Sequence, residues 1–317
     1  MMEMGCSLLG CGVEDDQSWS MDDYASGTAR WCPGCGDHAV LTGVERLLEA
    51  EQLAPERTVF VSGIGCSSRF PHYVNTYGFH GLHGRALPVA IGVKLRRPDL
   101  DVFVVMGDGD CCSIGAGHWI HTTRYNPNMT VLMLDNGVYG LTKNQTSPTS
   151  PLGLPSMTQP KGAYLPGLNP ISTTLSVTNA SFVAQTGDWI PEHLYQTISA
   201  AFHHRGFSFV RILQRCPKFT DKLFMDAVRD PNVVELMVHP NGIPTTGLDE
   251  IYKNRVEHDP SDLQSAHRLA ELGEKIRLGL FYQDESLPVY EEVRSEHLQS
   301  ADRKIELLNE ELDRYAV

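Results

Sequence analysis

The sequence predicts an α/β fold with a doubly wound, mostly parallel sheet, and three observations lead to this prediction. The chain has 317 residues, of which 41% are hydrophobic, enough for one large core or two ordinary ones. Short apolar runs that end in glycine or a polar turn alternate with segments long enough for crossover helices. Polar side chains follow two successive runs, at the edge where open α/β sheets bind ligands.

Four of the apolar runs are predicted strands. They are TVFVSG at 58–63, DVFVVMG at 101–107, MTVLML at 129–134 and FSFVRIL at 207–213. A helix is predicted from His38, because apolar residues from Val40 to Leu48 recur at helical spacing, and a second helix is predicted over 191–204. The charged end of the chain, KIELLNEELDRYAV, is expected to form a surface or partner-facing helix.

The segment from Pro148 to Pro170 contains six prolines. Proline has no N–H group and a fixed φ, so this density excludes a helix or a central strand between them. A loop of this length inside a compact domain is usually functional. We therefore interpret it as a loop over the active site or against a partner.

Composition divides the chain into an irregular extension over 1–25, a main domain over 26–225 and a partner-facing C-terminal extension over 226–317. The formal net charge of −13 and the pI near 5.4 argue against nucleic acid as a ligand, because phosphate binding relies on Lys and Arg. An apolar run long enough to span a membrane is absent, and the short apolar patch near residue 8 has no basic region before it. A cytoplasmic location is expected.

The motif GDGD follows the second predicted strand, and DNGVYG follows the third. Twenty-seven residues lie between Asp108 and Asn136, an interval that fits a loop, a helix and a strand. Both side chains then lie at the carboxyl ends of adjacent parallel strands. Asp108, the side-chain oxygen of Asn136 and one backbone carbonyl beyond it can bind Mg²⁺, which would bridge to a diphosphate. A plain glycine turn is the alternative.

The sequence WCPGCG contains a C-x-x-C pair, Cys32 and Cys35. This spacing alone is compatible with zinc, an iron–sulfur cluster, thiol exchange or coincidence. Among the other cysteines, Cys111 and Cys112 follow GDGD directly and are interpreted as packing residues. Cys6 and Cys11 lie in the N-terminal extension, where no role is assigned to them.

Longer motifs identify a family. GDG…N resembles the motif of thiamine diphosphate (TPP) enzymes, although Asp135 stands where the family often has a first asparagine. Further segments resemble the β subunit of a 2-oxoacid:ferredoxin oxidoreductase, most closely its 2-oxoglutarate branch. They are WCPGCG, the stretch from VSGIGCSS to VVMGDGD, YGLTKNQTSPT, QRCPKF and GLFYQDESLPVYEE, which together cover residues 31–292. The resemblance implies a sheet of the TPP diphosphate-binding type, carried by residues 26–225 together with the cluster site.

The resemblance also implies the site residues. One 4Fe-4S cluster falls on four cysteines: Cys32, Cys35, Cys66 and Cys216. Mg²⁺ falls on Asp108, Asn136 and the carbonyl of Val138. The implied TPP-binding residues are Gly65, Cys66, Ser67, Ser68, His83, Gly107, Asp108, Gly109, Asp110, Asn136, Val138, Gly140, Leu141 and Thr142. His83 is expected at the reactive end of TPP, Arg69 and Lys143 are candidates to bind an acidic substrate, and Leu141 is expected to shape the pocket.

The chain has one doubly wound unit, whereas TPP also needs a pyrimidine-binding domain with an activating glutamate. An α subunit is therefore expected to supply both, in an (αβ)₂ heterotetramer. The implied reaction is coenzyme A-dependent oxidative decarboxylation of 2-oxoglutarate, with ferredoxin as electron acceptor and reductive carboxylation as its reverse. The alternatives are the same chemistry on pyruvate or on many 2-oxoacids, a non-redox TPP enzyme, and a non-catalytic electron-transfer subunit. A four-cysteine zinc site is possible by geometry but would carry no electrons.

Overall fold

A computed structural model describes residues 18–271, 273–295 and 301–315. Most of the N-terminal extension, with Cys6 and Cys11, lies outside the described residues. The strands are β1 (Thr58–Ser62), β2 (Tyr77–His80), β3 (Asp101–Gly107), β4 (Met129–Asp135), β5 (Val138–Tyr139), β6 (Gln145–Thr146), β7 (Phe182–Gly187), β8 (Phe207–Leu213), β9 (Val234–Val238), β10 (Arg255–Glu257) and β11 (Ile276–Gln283). The helices are α1 (Met21–Tyr24), α2 (Asp37–Ala50), α3 (Ala86–Arg96), α4 (Ala116–Tyr125), α5 (Pro170–Leu175), α6 (Pro191–His203), α7 (Met225–Arg229), α8 (Leu263–Ala270), α9 (Tyr290–Ser295) and α10 (Ala301–Arg314).

Nine strands form one sheet in the order β10-β9-β11-β7-β8-β4-β3-β1-β2. All neighbouring pairs are parallel except β11 and β7. The mostly parallel α/β fold is confirmed, and the four predicted strands are β1, β3, β4 and β8. The segment after residue 225, expected to be an extension, contributes β9, β10 and β11 to the same sheet.

Helices cover both faces of the sheet. Successive side chains along each buried strand point to opposite faces, so each strand contributes apolar residues to two cores. Phe103 and Val105 of β3 pack in one core with α2 and α6. Val102 and Val104 pack in the other core, with α3, α4, α5 and α8. This doubly wound arrangement brings the carboxyl ends of β1, β3, β4 and β8 to one edge of the sheet.

The helices α2 and α6 were both predicted. Helix α2 begins one residue before the expected start and continues two residues beyond Leu48, and α6 ends one residue before its expected limit. Helix α10 confirms the helix expected at the end of the chain. The proline-rich segment contains no helix until α5 begins at Pro170. In the described part of the chain, none of the helices has the length and apolar content that crossing a bilayer requires.

Candidate active site

Two neighbouring cavities open at the carboxyl edge of the sheet. The first, here the GDG cavity, is lined by Ile64, Gly65, Cys66, Ser67, His83, Gly107, Asp108, Gly109, Asp110, Asn136, Val138, Tyr139, Gly140, Leu141 and Thr142. The second, here the cysteine cavity, is lined by Arg30, Trp31, Cys32, Cys35, Cys66, Arg69, Asn136, Gly140, Leu141, Lys143, Cys216, Pro217, Lys218 and Phe219. Four residues belong to both linings and form a shared wall: Cys66, Asn136, Gly140 and Leu141.

Asp108 is a buried carboxylate at the floor of the GDG cavity. Its Oδ2 accepts hydrogen bonds from the hydroxyls of Ser147, at 2.5 Å, and Thr149, at 2.7 Å. Burial, and then the nearby carboxylate of Asp135, raise the pKa of Asp108 well above its usual range, while the two hydroxyls oppose that shift. A cation at this site would favour the ionised form, so the environment of Asp108 fits a bound divalent metal.

Asn136 lies beside Asp108, because β3 and β4 are adjacent and in parallel register. Its Oδ1 accepts a hydrogen bond from the backbone N–H of Val138 at 3.2 Å. A carbonyl oxygen has two lone pairs, so Oδ1 can also face a cation. Oxygen donors from a carboxylate, an amide and a backbone carbonyl are the set that Mg²⁺ prefers. The predicted adjacency of Asp108 and Asn136 is confirmed.

His83 forms a close pair with Asp110 in the lining of the GDG cavity. The distance from His83 Nδ1 to Asp110 Oδ1 is 2.6 Å. The same oxygen accepts hydrogen bonds from the backbone N–H groups of Gly84, at 2.6 Å, and Ile64, at 3.2 Å. Burial raises the pKa of Asp110, and these donors lower it. With the aspartate ionised, Nδ1 carries the proton and the other ring nitrogen is left as a proton acceptor.

Gly109 lets the ring of Tyr139 approach the GDG motif closely, because it has no side chain. A Cβ at this position would lie 2.1 Å from Cε1 of Tyr139, a separation that real Cβ atoms do not show. The hydroxyl of Tyr139 donates to the carbonyl oxygen of Gly109 at 3.2 Å. The ring of Tyr139 therefore packs directly on the motif and closes one side of the cavity.

The four predicted cluster ligands converge on the cysteine cavity from three segments. Cys32 and Cys35 precede α2, Cys66 follows β1 and Cys216 follows β8. Trp31 joins two of these segments, since its indole N–H donates to the carbonyl oxygen of Cys66 at 2.7 Å. A second link joins the C-x-x-C segment to the third segment, through the bond from the N–H of Gly36 to the carbonyl oxygen of Arg215, at 3.1 Å.

The thiols of this group are spread around a cavity. Among the residues that the structure describes, no three His, Cys, Asp or Glu side chains gather closely enough to hold a single metal ion. A cluster with an iron atom at each of four corners binds each thiolate at a separate corner, which matches a spread set. Burial raises the pKa of the Cys66 thiol to about 12 and that of Cys35 further, so bound iron would have to supply the charge that stabilises their thiolates.

The remaining cysteines agree with the sequence interpretation where the structure describes them. Cys111 is fully buried in the core shared with α3 and α4, and Cys112 is 7% exposed in the same core. The thiol of Cys112 contacts the sulfur of Met133 at 3.5 Å. Both residues pack and neither lines the cysteine cavity.

Of the fourteen residues expected to bind TPP, Ser68 is the one that the structure places elsewhere. Ser68 is fully buried and lines neither cavity, and its carbonyl oxygen accepts a hydrogen bond from Ser62 Oγ at 2.6 Å. The two substrate candidates, Arg69 and Lys143, line the cysteine cavity and not the GDG cavity. Leu141, in the shared wall, is 48% exposed.

Sequence reasoning missed several residues of the site. Ile64 and Tyr139 line the GDG cavity, and Arg30 and Lys218 add two cations to the cysteine cavity. The hydroxyl groups that donate to Asp108 come from residues 145–150, QTSPTS, which are dense in hydroxyl side chains and run into the proline-rich segment. That density was the available signal, and it agrees with a loop lying over the active site.

Two regions of the chain match described protein families. Residues 63–212 match the thiamine pyrophosphate enzyme C-terminal TPP-binding domain. Residues 248–298 match the C-terminal region of the β subunit of pyruvate ferredoxin oxidoreductase. The first match contains the whole GDG cavity, and the second accounts for most of the chain beyond α7.

Individual relatives give a consistent result. The chain is 46% identical over 224 residues to the 2-oxoglutarate oxidoreductase subunit KorB of Mycobacterium tuberculosis, an alignment that spans 70% of this chain and 60% of that subunit. It is 38% identical over 264 residues to the 2-oxoacid:ferredoxin oxidoreductase subunit beta of Saccharolobus solfataricus, which spans 83% and 84% of the two chains.

A solved structure shares the fold. The 2-oxoglutarate:ferredoxin oxidoreductase of Magnetococcus marinus, with 2-oxoglutarate, coenzyme A and succinyl-CoA bound, superposes with a TM-score of 0.78 at 37% identity. The superposition covers 93% of this chain and 97% of that chain.

Proposed function

The chain belongs to the β subunits of the 2-oxoacid:ferredoxin oxidoreductases, a TPP-dependent family, and we propose that it converts 2-oxoglutarate and coenzyme A to succinyl-CoA and CO₂. The proposed electron acceptor is ferredoxin, reached through one 4Fe-4S cluster, and the reverse reaction is reductive carboxylation. One observation carries the proposal: a cavity with four cysteines shares a wall with a cavity of TPP type. When bound, TPP supplies the electron sink for decarboxylation and the cluster accepts single electrons.

The residues that would hold Mg²⁺ and the diphosphate are Asp108, Asn136 and the backbone carbonyl of Val138. The buried Asp108 has a raised pKa, and its Oδ2 accepts hydrogen bonds from two hydroxyl groups. A divalent cation offsets the charge that burial disfavours. The nearby Gly107 and Gly109 leave the backbone accessible to phosphate oxygens.

His83 is proposed to hold or move a proton at the reactive end of the cofactor. Asp110 accepts a hydrogen bond from Nδ1, which fixes the ring and leaves its other nitrogen to face the cavity. The ring also packs edge-on against Tyr139, with centroids 5.9 Å apart. His83 is therefore held from two sides before any ligand binds.

The acidic substrate is proposed to enter from the side of the cysteine cavity. Four cationic side chains line that cavity on a chain whose net charge is −13: Arg30, Arg69, Lys143 and Lys218. A dicarboxylate needs a second cation beyond the one that binds its 1-carboxylate. The relatives and the solved structure named for 2-oxoglutarate support this substrate class over pyruvate.

A β subunit of this family works with an α subunit. We propose that the α subunit supplies the pyrimidine-binding domain and the activating glutamate, in an (αβ)₂ assembly. The observation behind this is that the nine-stranded sheet forms one TPP-type unit, and the match to a TPP-binding domain covers residues 63–212 alone. The enzyme is proposed to work in the cytoplasm, where the thiols would stay reduced until iron binds them.

The test is anaerobic copurification of the chain with its α subunit. The expected complex contains iron and sulfide in cluster ratio together with TPP and Mg²⁺, and it reduces a viologen dye only when coenzyme A and a 2-oxoacid are present. Activity should be higher with 2-oxoglutarate than with pyruvate. A complex free of both iron and TPP would contradict the proposal, and equal rates on the two substrates would replace 2-oxoglutarate by a broad 2-oxoacid specificity.

Asp108→Ala separates cofactor binding from folding. Because a carboxylate ligand of Mg²⁺ is lost, the affinity for TPP in the presence of Mg²⁺ should fall by more than about 100-fold while the visible spectrum of the cluster is unchanged. Asp99→Ala is the matched control, since Asp99 is exposed and lies at the amino end of β3, paired with Arg97. Loss of TPP binding in both variants would contradict the assignment.

A further inference from the structure

Gln214 lies between the two cavities and is not a ligand in the proposed function. It directly follows β8 and precedes Cys216 by two residues. It is 1% exposed, and its backbone N–H donates to the carbonyl oxygen of Asp135 at 2.9 Å. The backbone thus ties the end of β8 to the end of β4, and the side chain extends between Asn136 and Cys35.

The amide of Gln214 bridges these two residues. Its Oε1 accepts a hydrogen bond from Nδ2 of Asn136 at 2.7 Å. Its Nε2 donates to the carbonyl oxygen of Arg215 at 2.6 Å and to Sγ of Cys35 at 3.3 Å. The oxygen end of the amide therefore contacts Asn136, and the NH₂ end contacts Arg215 and Cys35.

The orientation of this amide follows from its neighbours. The carbonyl oxygen of Arg215 can only accept, so Nε2 must face it, and Oε1 must then face the NH₂ group of Asn136. A rotated amide would place two oxygens in contact at one end and two NH₂ groups at the other. The orientation of the N–H group that donates to Cys35 is thus determined by the hydrogen bonds to Asn136 and Arg215, neither of which involves sulfur.

The bond to Asn136 determines what that residue presents to the GDG cavity. With Nδ2 held by Gln214, the oxygen Oδ1 is the end of the Asn136 amide that faces the N–H of Val138, and both residues line the GDG cavity with Asp108. Residues that orient a metal ligand in this way typically change metal affinity by about 10–100-fold when they are lost.

The bond to Cys35 determines how much negative charge its sulfur can carry. Reduction adds an electron to a cluster, and N–H groups that donate to its sulfurs stabilise the added charge and raise the reduction potential. Asp37 acts on Cys35 in both senses: its buried carboxylate raises the pKa of the Cys35 thiol, whereas its backbone N–H lowers that pKa, as a donor to sulfur does.

From this geometry we propose that Gln214 is a positioning residue with two effects: it orients Asn136 toward Mg²⁺ and raises the reduction potential of the cluster through Cys35. The inference rests on the proposed function, which supplies both groups. Because hydrogen bonds in a chain polarise one another, one amide also connects the two sites electrostatically.

Two variants separate the effects. Gln214→Met has a similar shape and neither donates nor accepts strongly, whereas Gln214→Glu keeps an acceptor for Asn136 and loses the donor to Cys35. We expect both variants to lower the midpoint potential of the cluster. We expect the affinity for TPP with Mg²⁺ to fall by about 10-fold or more in Gln214→Met and to stay within about threefold of the parent in Gln214→Glu.

The experiment uses the anaerobic αβ complex. The midpoint potential is measured by dye-mediated titration followed by electron paramagnetic resonance, and TPP affinity is measured by calorimetry in excess Mg²⁺. Gln283→Met is the matched control, since Gln283 also ends a strand, β11, and its side-chain amide donates to Glu285, away from both cavities. It should leave both quantities at parent values.

The outcomes distinguish this inference from the proposed function. If the parent complex has the cluster and both Gln214 variants keep its potential, the inference is wrong and the proposed function stands. Parent affinity for TPP in Gln214→Met would also overturn the inference. If Gln214→Met fails to assemble, Gln214→Leu takes its place and decides through its potential, because leucine also lacks a donor to Cys35 and adds no charge. A parent complex without a cluster signal overturns both.

Discussion

Replacement of Arg211 by methionine tests the electrostatic support next to the proposed Mg²⁺ site. Arg211, on β8, binds Oδ2 of Asp135 through Nε at 2.8 Å and Nη2 at 2.6 Å, and donates to Gln185 Oε1 at 3.0 Å. The side chain of Asp135 is 2% exposed and that of Arg211 is 14% exposed. The pair is therefore largely shielded from solvent.

The hydroxyl of Thr149 connects this pair to Asp108. Its Oγ1 lies 2.7 Å from Oδ2 of Asp108 and 2.7 Å from Oδ1 of Asp135. A hydroxyl has one proton and can donate to one carboxylate at a time, so the two acidic groups compete for it. Arg211 reduces that competition because it neutralises Asp135, which leaves the Thr149 proton for Asp108.

Loss of one partner from a buried ion pair costs about 3–5 kcal/mol, because the remaining charge is buried without compensation. For a chain of 317 residues the entropy of unfolding is about 0.7 kcal/mol per kelvin, so Arg211→Met should lower Tm by about 5–7 °C. The double variant with Asp135→Asn removes both charges and should recover most of that loss. Mg²⁺-dependent TPP affinity should fall in the single variant and recover in the double.

The assay is thermal unfolding of the anaerobic complex followed by circular dichroism, with calorimetric titration of TPP in Mg²⁺. The reasoning is refuted if Arg211→Met unfolds within about 1 °C of the parent, a shift far smaller than the loss of a buried partner produces. It is equally refuted if the double variant is no more stable than the single one, because the penalty would then not come from the uncompensated charge of Asp135.

Two further predictions concern stability and iron content. Burial lowers the pKa of His193 to about 4, against about 6.5 in the unfolded chain, so the free energy of unfolding should fall by about 3 kcal/mol between pH 6.5 and pH 4. Midpoints of urea unfolding across this pH range check this. His193→Gln should make the free energy of unfolding depend less on pH. Gly36→Ala should lower the iron content, since its Cβ would lie 1.5 Å from Oδ2 of Asp188, and that carboxylate binds Arg215 beside Cys216. Gly117→Ala is the control and should keep the iron, because Gly117 has open space around it.

The sequence predicted strands that are mostly apolar and buried, and β2, β7 and β10 were missed for physical reasons. All five residues of β1 and all seven of β4 are buried, which produces a continuous apolar run. All four residues of β2 are exposed, and β10 is the charged tripeptide Arg255–Glu257, so neither carries that signal. In β7 the polar Gln185 is tolerated in a buried strand because its amide binds Arg211 and the carbonyl oxygen of Arg277.

The same distinction applies to the site. Residues inside or next to a motif, such as Asp108, Asn136 and Cys35, were found because their spacing is local. Ser147 lies 39 positions from Asp108 in the chain, and Gln214 lies 78 positions from Asn136, so no pattern in the sequence pairs them. Their role depends on which strand ends meet at the edge of the sheet.

Cys66 belongs to the walls of both cavities and so connects them structurally. Its side chain lines both, and its carbonyl oxygen accepts hydrogen bonds from Trp31 Nε1 at 2.7 Å and from the N–H of Arg69 at 3.2 Å. Any displacement of Cys66 therefore moves the wall of the TPP-type cavity together with a proposed cluster ligand. Cys32 lines the cysteine cavity alone, so a change there is confined to the proposed iron site. The proposed role of the C-x-x-C pair thus depends on a third cysteine that the pair itself does not predict.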